Sequence, residues 1–266
     1  MNGLKGKAAI VTGGSRGIGK AITERLLSEG VNVLFCGRNK ETGLATLAEL
    51  SKKYGDRVRF TSCDMGNRET PEILIAEGRA LFGELDFLVN NAFPFTAKAM
   101  DATYEDWTHV FMAGPAAYAR MIAEFVKQRE RREGAIVCVS SISGHIAQPL
   151  RWTYNAAKGA VKQLIRCAAL DLAPAIRVNC VSPGWVWTDE VAKATPDGTR
   201  ESVPKAWEEY HILQHLQEPS QIASTVAFLL SDDAAVITGH DLFADSGYLA
   251  MGPEGLGKTA NFAGSN

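Results

Sequence analysis

The chain has 266 residues, of which 46% are hydrophobic and 22% are charged, and its net charge is −2. This composition excludes a disordered chain, and the near-neutral charge without a basic block argues against nucleic acid or an anionic membrane as a partner. No apolar stretch approaches the roughly 20 residues that cross a bilayer, and the first apolar run is too short for a signal peptide.

The five cysteines indicate the compartment. They are widely spaced and show neither a CxxC motif nor a metal-ligand spacing, so we expect small buried side chains in a reducing environment. His211 and His215 lie four residues apart, but no third ligand clusters with them in the sequence. We therefore predict a cytoplasmic protein without a metal site.

Short apolar runs alternate along the chain with longer segments of helical periodicity. The predicted strands are 7–12, 31–36, 57–62, 86–90, 134–140, 176–182 and 240–244, and the predicted helices are 18–29, 41–54, 69–82, 104–130, 153–172 and 219–231. Strands that are apolar on both faces and separated by helices form right-handed βαβ units. We predict an α/β fold in one domain over residues 1–266, a Rossmann-type doubly wound parallel sheet of about seven strands with helices on both faces.

Two segments break this alternation. Residues 185–218 combine tryptophans with a charged helical stretch, and residues 251–266 are rich in Gly, Ala and Asn. Long insertions in compact folds are often lids over a binding site. We predict that 185–218 is a substrate lid, and that 251–266 forms a C-terminal tail.

The first predicted strand leads into a glycine-rich turn and then a helix. The turn has the sequence Thr12-Gly-Gly-Ser-Arg-Gly-Ile-Gly19, with glycines at 13, 17 and 19 in the spacing GxxxGxG. Glycines allow a tight turn and let the backbone approach a pyrophosphate at the N-terminus of the helix. Because the turn joins a strand to a helix at the start of an α/β chain, we predict a dinucleotide-binding loop.

The residues after the second strand bear on which dinucleotide is bound. An acid at this position holds the ribose 2′-hydroxyl of NAD, whereas an arginine accommodates the 2′-phosphate of NADP. Here the acid's position holds Gly37 and is followed by Arg38, and Arg16 lies in the glycine loop. The pattern favours NADP(H) over NAD(H), although both arginines could also be ordinary solvated loop residues.

Tyr154 and Lys158 are four residues apart in a predicted helix. Residues at this spacing share a helix face, so the phenol and the ammonium would point into the same cleft. A cation beside a tyrosine lowers its pKa from about 10 towards the range useful for proton transfer. On its own such a pair could equally be a solvated helix face.

With these motifs in order, the chain resembles the short-chain dehydrogenase/reductase (SDR) family between Gly6 and Gly247. Residues 12–19 are similar to its TGxxxGxG loop, and Ser141 lies thirteen residues before Tyr154, the family's spacing for its catalytic serine. The cofactor-binding positions that the resemblance implies are Gly13, Ser15, Arg16, Gly17, Ile18, Gly19, Arg38, Asp64, Met65, Asn91, Tyr154, Lys158, Pro183, Gly184, Val186 and Thr188.

The resemblance also implies a mechanism and an assembly. Tyr154 would give or take the proton on the substrate oxygen, Lys158 would hold the nicotinamide ribose and favour the tyrosinate, and Ser141 would orient the substrate oxygen. Ser140 and Ser143 are alternatives to Ser141 that its spacing to Tyr154 disfavours. The chain would then be an NADP(H)-dependent oxidoreductase that interconverts a ketone and a secondary alcohol. A homotetramer or homodimer, formed through helices 104–130 and 153–172, is also implied.

The sequence departs from the family pattern at two positions. Phe93 stands where the family's NNAG segment has glycine, and Gly114, seven residues after Trp107, stands where it has an asparagine that holds a water beside the lysine. Pro115 follows, which removes a backbone donor and kinks a helix. The carbonyl freed near residue 111 could hold a water instead, or the relay could be impaired, in which case asparagine at 114 would raise turnover.

Aromatic and polar residues near the expected cleft suggest the substrate. The predicted substrate-lining residues are Phe93, Phe95, Ser143, His145, Trp152 and Trp185. Their aromatic rings favour a small-to-medium carbonyl or alcohol substrate that is apolar or cyclic. Two alternatives stay open: an enoyl reductase acting on C=C, whose usual wider Tyr–Lys spacing is missing, and an NADPH-binding sensor without turnover, which would not need Ser141, Tyr154 and Lys158 together.

Overall fold

The computed structural model describes residues 1–127, 133–252 and 255. Within them, seven strands form one sheet in the order β3-β2-β1-β4-β5-β6-β7, and every neighbouring pair is parallel. The strands are β1 (Ala8–Val11), β2 (Asn32–Gly37), β3 (Val58–Ser62), β4 (Phe87–Asn90), β5 (Gly134–Val139), β6 (Ile176–Pro183) and β7 (Asp241–Ala244). The predicted Rossmann-type parallel sheet is confirmed.

Helices cover both faces of the sheet. They are α1 (Gly17–Ser28), α2 (Lys40–Tyr54), α3 (Thr70–Phe82), α4 (Tyr104–Phe111), α5 (Ala117–Lys127), α6 (Trp152–Leu172), α7 (Asp189–Ala192), α8 (Lys205–Glu209) and α9 (Pro219–Leu230). One apolar cluster packs α1 and α9 on the sheet, and a second packs α3, α5 and α6 on the opposite face. Because both faces are covered, the central strands are apolar throughout, as in Ala8–Val11, where all four residues are buried.

The strand order reverses beside β1, whose neighbours are β2 on one side and β4 on the other. Chain connections leave the sheet in opposite directions at such a point, which opens a crevice at the carboxyl ends of the strands. Ligands of doubly wound folds bind in this crevice. The glycine-rich turn begins there, directly after β1.

The segment predicted as one helix over 104–130 is interrupted. Helix α4 ends at Phe111, a wider π-helical turn spans Met112–Ala116, and α5 resumes at Ala117. Gly114 leaves helical geometry, with φ −105° and ψ −110°, and Pro115 offers no backbone N–H. The kink expected from Pro115 thus interrupts the segment predicted as helical, whose last residues, 128–130, lie outside the described residues.

The two segments that break the alternation differ in how much of them is described. Residues 185–218 contain α7 and α8, are tied by a bridge between Val186 and Gln217, and stack Trp185 on Trp207 with ring centroids 4.6 Å apart. Of the predicted tail over 251–266, only 251, 252 and 255 are described. In the described part of the chain, no helix has the length and apolarity that crossing a membrane requires.

Candidate active site

A cavity of about 910 Å³ opens at the carboxyl ends of the strands. It extends from the glycine loop and the end of β2, past the ends of β4 and β5, to Tyr154 on α6. The sequence-predicted residues that line it are Gly13, Ser15, Arg16, Gly17, Ile18, Gly19, Arg38, Asp64, Met65, Asn91, Phe93, Phe95, Ser141, Ser143, Tyr154, Pro183, Gly184, Trp185, Val186 and Thr188. The loops after six strands, β1 to β6, thus bring distant motifs into one cleft.

The glycine loop is packed too tightly for a side chain at Gly19. A Cβ on Gly19 would lie 2.0 Å from the carbonyl oxygen of Gly13, far inside contact distance. Asn91 holds the loop from β4, because its side-chain amide donates to the carbonyls of Thr12 and Gly13 at 3.0 and 3.1 Å. Asn91 therefore joins the loop to the end of β4 while lining the cavity.

The N-terminus of α1 faces this cavity and fits a dinucleotide's diphosphate. No side chain caps α1, and its first turn contains no acidic residue. The first amides of a helix have no partner within the helix and carry partial positive charge, which favours an anion. Gly17, with φ +52°, shapes the turn that presents them.

The adenosine end of the cavity is cationic at its rim. Arg38 lines the cavity and forms no ion pair with any other described residue, whereas Nη1 of Arg16 lies 2.9 Å from Oε1 of Glu190. Gly37 allows close packing, since a Cβ there would lie 2.6 Å from Oγ of Ser15. The carboxylate of Asp64 accepts a hydrogen bond from the N–H of Gly66 at 2.9 Å, so it is held by its own turn.

Ser141 and Tyr154 meet at the opposite end. Ser141 lies close enough to the phenol to lower its pKa, and its Oγ donates to Oγ of Ser143 at 3.1 Å. Ser143 in turn donates to Oε1 of Gln148 at 2.7 Å, and Ser140 donates to the backbone carbonyl of Lys158 at 3.2 Å. Of the three neighbouring serines, Ser141 is the one that acts on the pKa of the phenol.

Tyr154 is half-buried between aromatic rings. The centroids of Phe93 and Phe95 lie 5.7 and 4.9 Å from that of its ring. Burial raises the pKa of Tyr154 to about 12, while the hydrogen bond from Ser141 and the charge of Arg151 act in the opposite direction. The expectation that Lys158 lowers this pKa is not met.

Lys158 is buried outside the cavity wall. Its residue surface is 3% exposed, its Nζ donates to the carbonyl of Val139 at 3.0 Å, and the ring of Phe93 covers it, with the centroid 3.7 Å from Nζ. Burial lowers the pKa of Lys158 to about 7. Nζ of Lys158 lies 5.7 Å from the centroid of the Tyr154 ring, so the two residues are neighbours as their spacing predicts, but of the two only Tyr154 lines the cavity.

His145 and Trp152, which are predicted to line the substrate end, are not among the residues that line this cavity. Nε2 of His145 lies 2.8 Å from Oδ2 of Asp241, and Lys162 donates to its Nδ1 at 3.0 Å, so the ring is turned towards β7. Trp152 precedes Tyr154 by two residues, about 200° around a helix. Its side chain therefore projects away from the cavity, and the residue is 53% exposed.

Arg151 lines the cavity and was missed by the sequence reasoning. Its guanidinium carbon lies 5.6 Å from the centroid of Phe95. Its position could have been predicted from the sequence, because residues three apart share a helix face and Arg151 precedes Tyr154 by three residues.

Comparisons with known proteins agree with this geometry. A family model described as Enoyl-(Acyl carrier protein) reductase matches residues 13–249. Sorbose reductase sou1 of Schizosaccharomyces pombe is 36% identical over 258 residues, which are 93% of this chain and 98% of that protein. Dehydrogenase/reductase SDR family member 4 of Homo sapiens is 36% identical over 248 residues, with coverage of 92% and 88%.

Two further similarities extend the comparison. Glucose 1-dehydrogenase 2 of Bacillus subtilis is 31% identical over 255 residues, 92% of this chain and 95% of its own. The crystal structure of gox2181 superposes with a TM-score of 0.84 at 27% identity, covering 93% of this chain and 97% of that one. The chain therefore belongs to the short-chain dehydrogenase/reductase family of oxidoreductases, which bind a nicotinamide cofactor and act on small molecules.

Proposed function

We propose that the protein is an NADP(H)-dependent oxidoreductase that interconverts a ketone and a secondary alcohol. One observation carries this proposal: Ser141 and Tyr154 lie together at one end of a cavity whose other end is the glycine loop. The two ends belong to the same cavity, which suits a cofactor that reaches from one to the other.

Tyr154 and Ser141 act on the substrate oxygen. Ser141 donates a hydrogen bond that orients a carbonyl and stabilises charge on its oxygen, and Tyr154 supplies the proton as the alcohol forms. The nicotinamide, when bound, supplies or accepts the hydride. Because burial raises the pKa of Tyr154 to about 12, the phenol is protonated at neutral pH and can give its proton to a carbonyl oxygen. We favour reduction as the physiological direction because NADPH is the proposed cofactor.

Arg38 supports NADP(H) over NAD(H). It lines the cavity next to Gly37, where an acid would repel a 2′-phosphate, and no described acidic residue neutralises it. Arg16 lies on the same rim and is bridged to Glu190 on α7. A 2′-phosphate would gain charge-assisted hydrogen bonds from guanidinium groups.

The substrate end supports a compact ligand held by aromatic surfaces. Phe93, Phe95 and Trp185 line it, and the segment 185–218 that carries Trp185 is the proposed lid. Arg151 and Gln148 add polar groups. Since two relatives are named for sorbose and glucose, a substrate panel should pair apolar cyclic ketones with sugars.

We also expect a homodimer or homotetramer formed through α4–α6. Tyr104 on α4 and Leu170 on α6 are 89% and 79% exposed. A subunit contact through these helices would cover such exposed apolar side chains.

Reduction of an activated C=C bond is the second candidate, because the matching family model carries the description of an enoyl reductase. The four-residue spacing of Tyr154 and Lys158 favours carbonyl chemistry instead. Incubation with NADPH and a cyclic enone separates the two: an allylic alcohol supports the proposal, whereas a saturated ketone supports the enoyl reductase.

Tyr154→Phe tests the proposal. We expect turnover on the best substrate of the panel to fall by at least about 10³-fold, while NADPH binding, followed by fluorescence, stays within a few-fold. Tyr248→Phe, a half-buried tyrosine outside the cavity lining, is the matched control. Unimpaired turnover in Tyr154→Phe would contradict the mechanism, and tight NADPH binding by the native chain without turnover on any carbonyl would indicate the sensor.

A further inference from the structure

Phe93 occupies space that exists only because residue 114 is glycine. A Cβ on Gly114 would lie 2.8 Å from Cζ and 2.9 Å from Cε2 of the Phe93 ring, closer than Cβ atoms approach other heavy atoms. The π-helical turn at Met112–Ala116 places the backbone of Gly114 against the far edge of the ring. Any side chain at 114 would therefore have to displace Phe93.

The ring is fixed on several sides. Tyr118 on α5 and Tyr154 on α6 contact it edge-on, with centroids at 5.8 and 5.7 Å and interplanar angles of 83° and 86°. Its face covers Nζ of Lys158 at 3.7 Å, within the range of a cation–π interaction. These T-shaped contacts hold the ring where its face meets the ammonium.

The ammonium has one hydrogen-bond acceptor on its other side. Nζ of Lys158 donates to the carbonyl of Val139 at 3.0 Å, and the residue is absent from the cavity lining. Gly114 offers no polar side chain that could link Lys158 to water. Lys158 is therefore held between a strand-end carbonyl and an aromatic face.

We propose that Phe93 and Gly114 form a matched pair in which the Phe93 ring, admitted by the missing side chain at 114, positions the ammonium of Lys158 and seals it from the cavity. Phe93 is then a positioning residue that replaces a polar group and water beside the lysine. The consequence for proton transfer rests on the proposed function, whereas the pairing and the seal can be tested without turnover.

The seal makes the stability of the protein depend on pH, because Lys158 is the group beside the Phe93 ring whose charge changes near neutral pH. The titratable groups facing it are Cys138 on β5, Cys180 on β6, Tyr154 on α6 and, beyond the ring, Tyr118 on α5. Burial raises the pKa of all four, to about 12 for Cys138 and Tyr154. Between pH 7 and 9.5 these groups stay neutral while the lysine changes charge.

A double-variant cycle on thermal unfolding tests the pairing. We expect Gly114→Ala to lower the Tm by about 4 °C or more in the native chain, and by less than half as much in a Phe93→Leu background, because leucine lacks the ring edge that a Cβ at 114 meets. Gly159→Ala, whose Cβ would have its nearest neighbour at 3.8 Å, controls for adding a methyl group. Equal losses in both backgrounds would overturn the proposal.

The pH dependence of the Tm tests the seal. Since burial lowers the pKa of Lys158 to about 7 from 10.5, the unfolded chain binds more protons than the folded chain between these values, and stability rises with pH. Lys158→Met should remove that component of the rise. Phe93→Ala, which admits water to the ammonium, should remove most of it, and Phe93→Tyr should keep it.

The seal would be overturned if the part of the Tm rise with pH that depends on Lys158 were as large in Phe93→Ala as in the native chain. If that variant does not fold, Phe93→Leu carries the same comparison. Turnover then gives a separate measurement. Gly114→Asn should lose activity, and turnover of the double variant Phe93→Gly/Gly114→Asn should be at least about 10-fold higher than that of Gly114→Asn alone. Absence of recovery would count against the pair, whereas absence of native turnover would count against the proposed function alone and leave the Tm cycles unaffected.

Discussion

The end of the cleft beside the glycine loop consists of backbone and rim charges, whereas the end beside Tyr154 consists of packed rings and buried polar groups. At the first end, glycines bring the backbone close to the cavity and Arg38 stands free of described ion-pair partners. At the second end, the ring of Phe93 covers the ammonium of Lys158, and Ser141 lies beside the phenol of Tyr154. The first end suits binding of a charged cofactor, and the second suits control of a proton.

This difference separates affinity from turnover. Substitutions at the glycine-loop end should change how tightly a cofactor binds, because its groups face a ligand. Substitutions at the Tyr154 end should change turnover with little effect on cofactor affinity.

Gly19→Ala should have the largest effect. A Cβ there would lie 2.0 Å from the carbonyl oxygen of Gly13, so the turn that presents the α1 amides must open. We expect NADPH affinity, measured by fluorescence titration, to fall by more than about 10³-fold, since several hydrogen bonds to the diphosphate depend on the turn. Affinity within ten-fold of native would show that the loop does not hold the cofactor, and Gly159→Ala is again the control.

Ser141→Ala should reduce turnover without changing cofactor affinity. Loss of one donor to a developing oxyanion costs about 10²- to 10³-fold in kcat, and the phenol of Tyr154 also loses the hydrogen bond that favours its ionised form. Ser143→Ala, which removes only a neighbour of Ser141, should cost less than about 10-fold. A larger loss in Ser143→Ala than in Ser141→Ala would transfer the role to Ser143.

Arg38→Glu should change cofactor preference more modestly. Replacing a free guanidinium by a carboxylate removes charge-assisted hydrogen bonds to a 2′-phosphate and adds repulsion. We expect the affinity ratio of NADPH to NADH to fall about 100-fold, with NADH binding changed by less than about 3-fold. Arg68→Glu is the control, since Arg68 is exposed and absent from the cavity lining. An unchanged ratio of NADPH to NADH affinity would mean that Arg38 does not bind the 2′-phosphate.

Local sequence rules predicted the sheet and the glycine loop. Each strand is an apolar run between turns, and the loop's glycines respond to contacts within a few residues, such as that between Gly13 and Gly19. These features depend on backbone geometry that a short segment determines by itself. The family resemblance added the spacing from Ser141 to Tyr154, which the structure brings together across two elements.

The surroundings of Lys158 could not be predicted from spacing. Helical periodicity places Lys158 on the same face as Tyr154, but it cannot show that Phe93, from the end of β4, covers the ammonium. His145 was misplaced for a similar reason, because its partner Asp241 is 96 residues away in the sequence. Such side chains are positioned by tertiary contacts, which local patterns do not contain.

The close contact between Phe93 and Gly114 also constrains how this sequence can change. A single substitution that introduces a polar side chain at 114 must displace the Phe93 ring, because the ring already occupies the space. Replacing Phe93 first leaves the ammonium of Lys158 uncovered. Either order passes through an intermediate with a poorer site, so the two positions are expected to change together or to remain as they are.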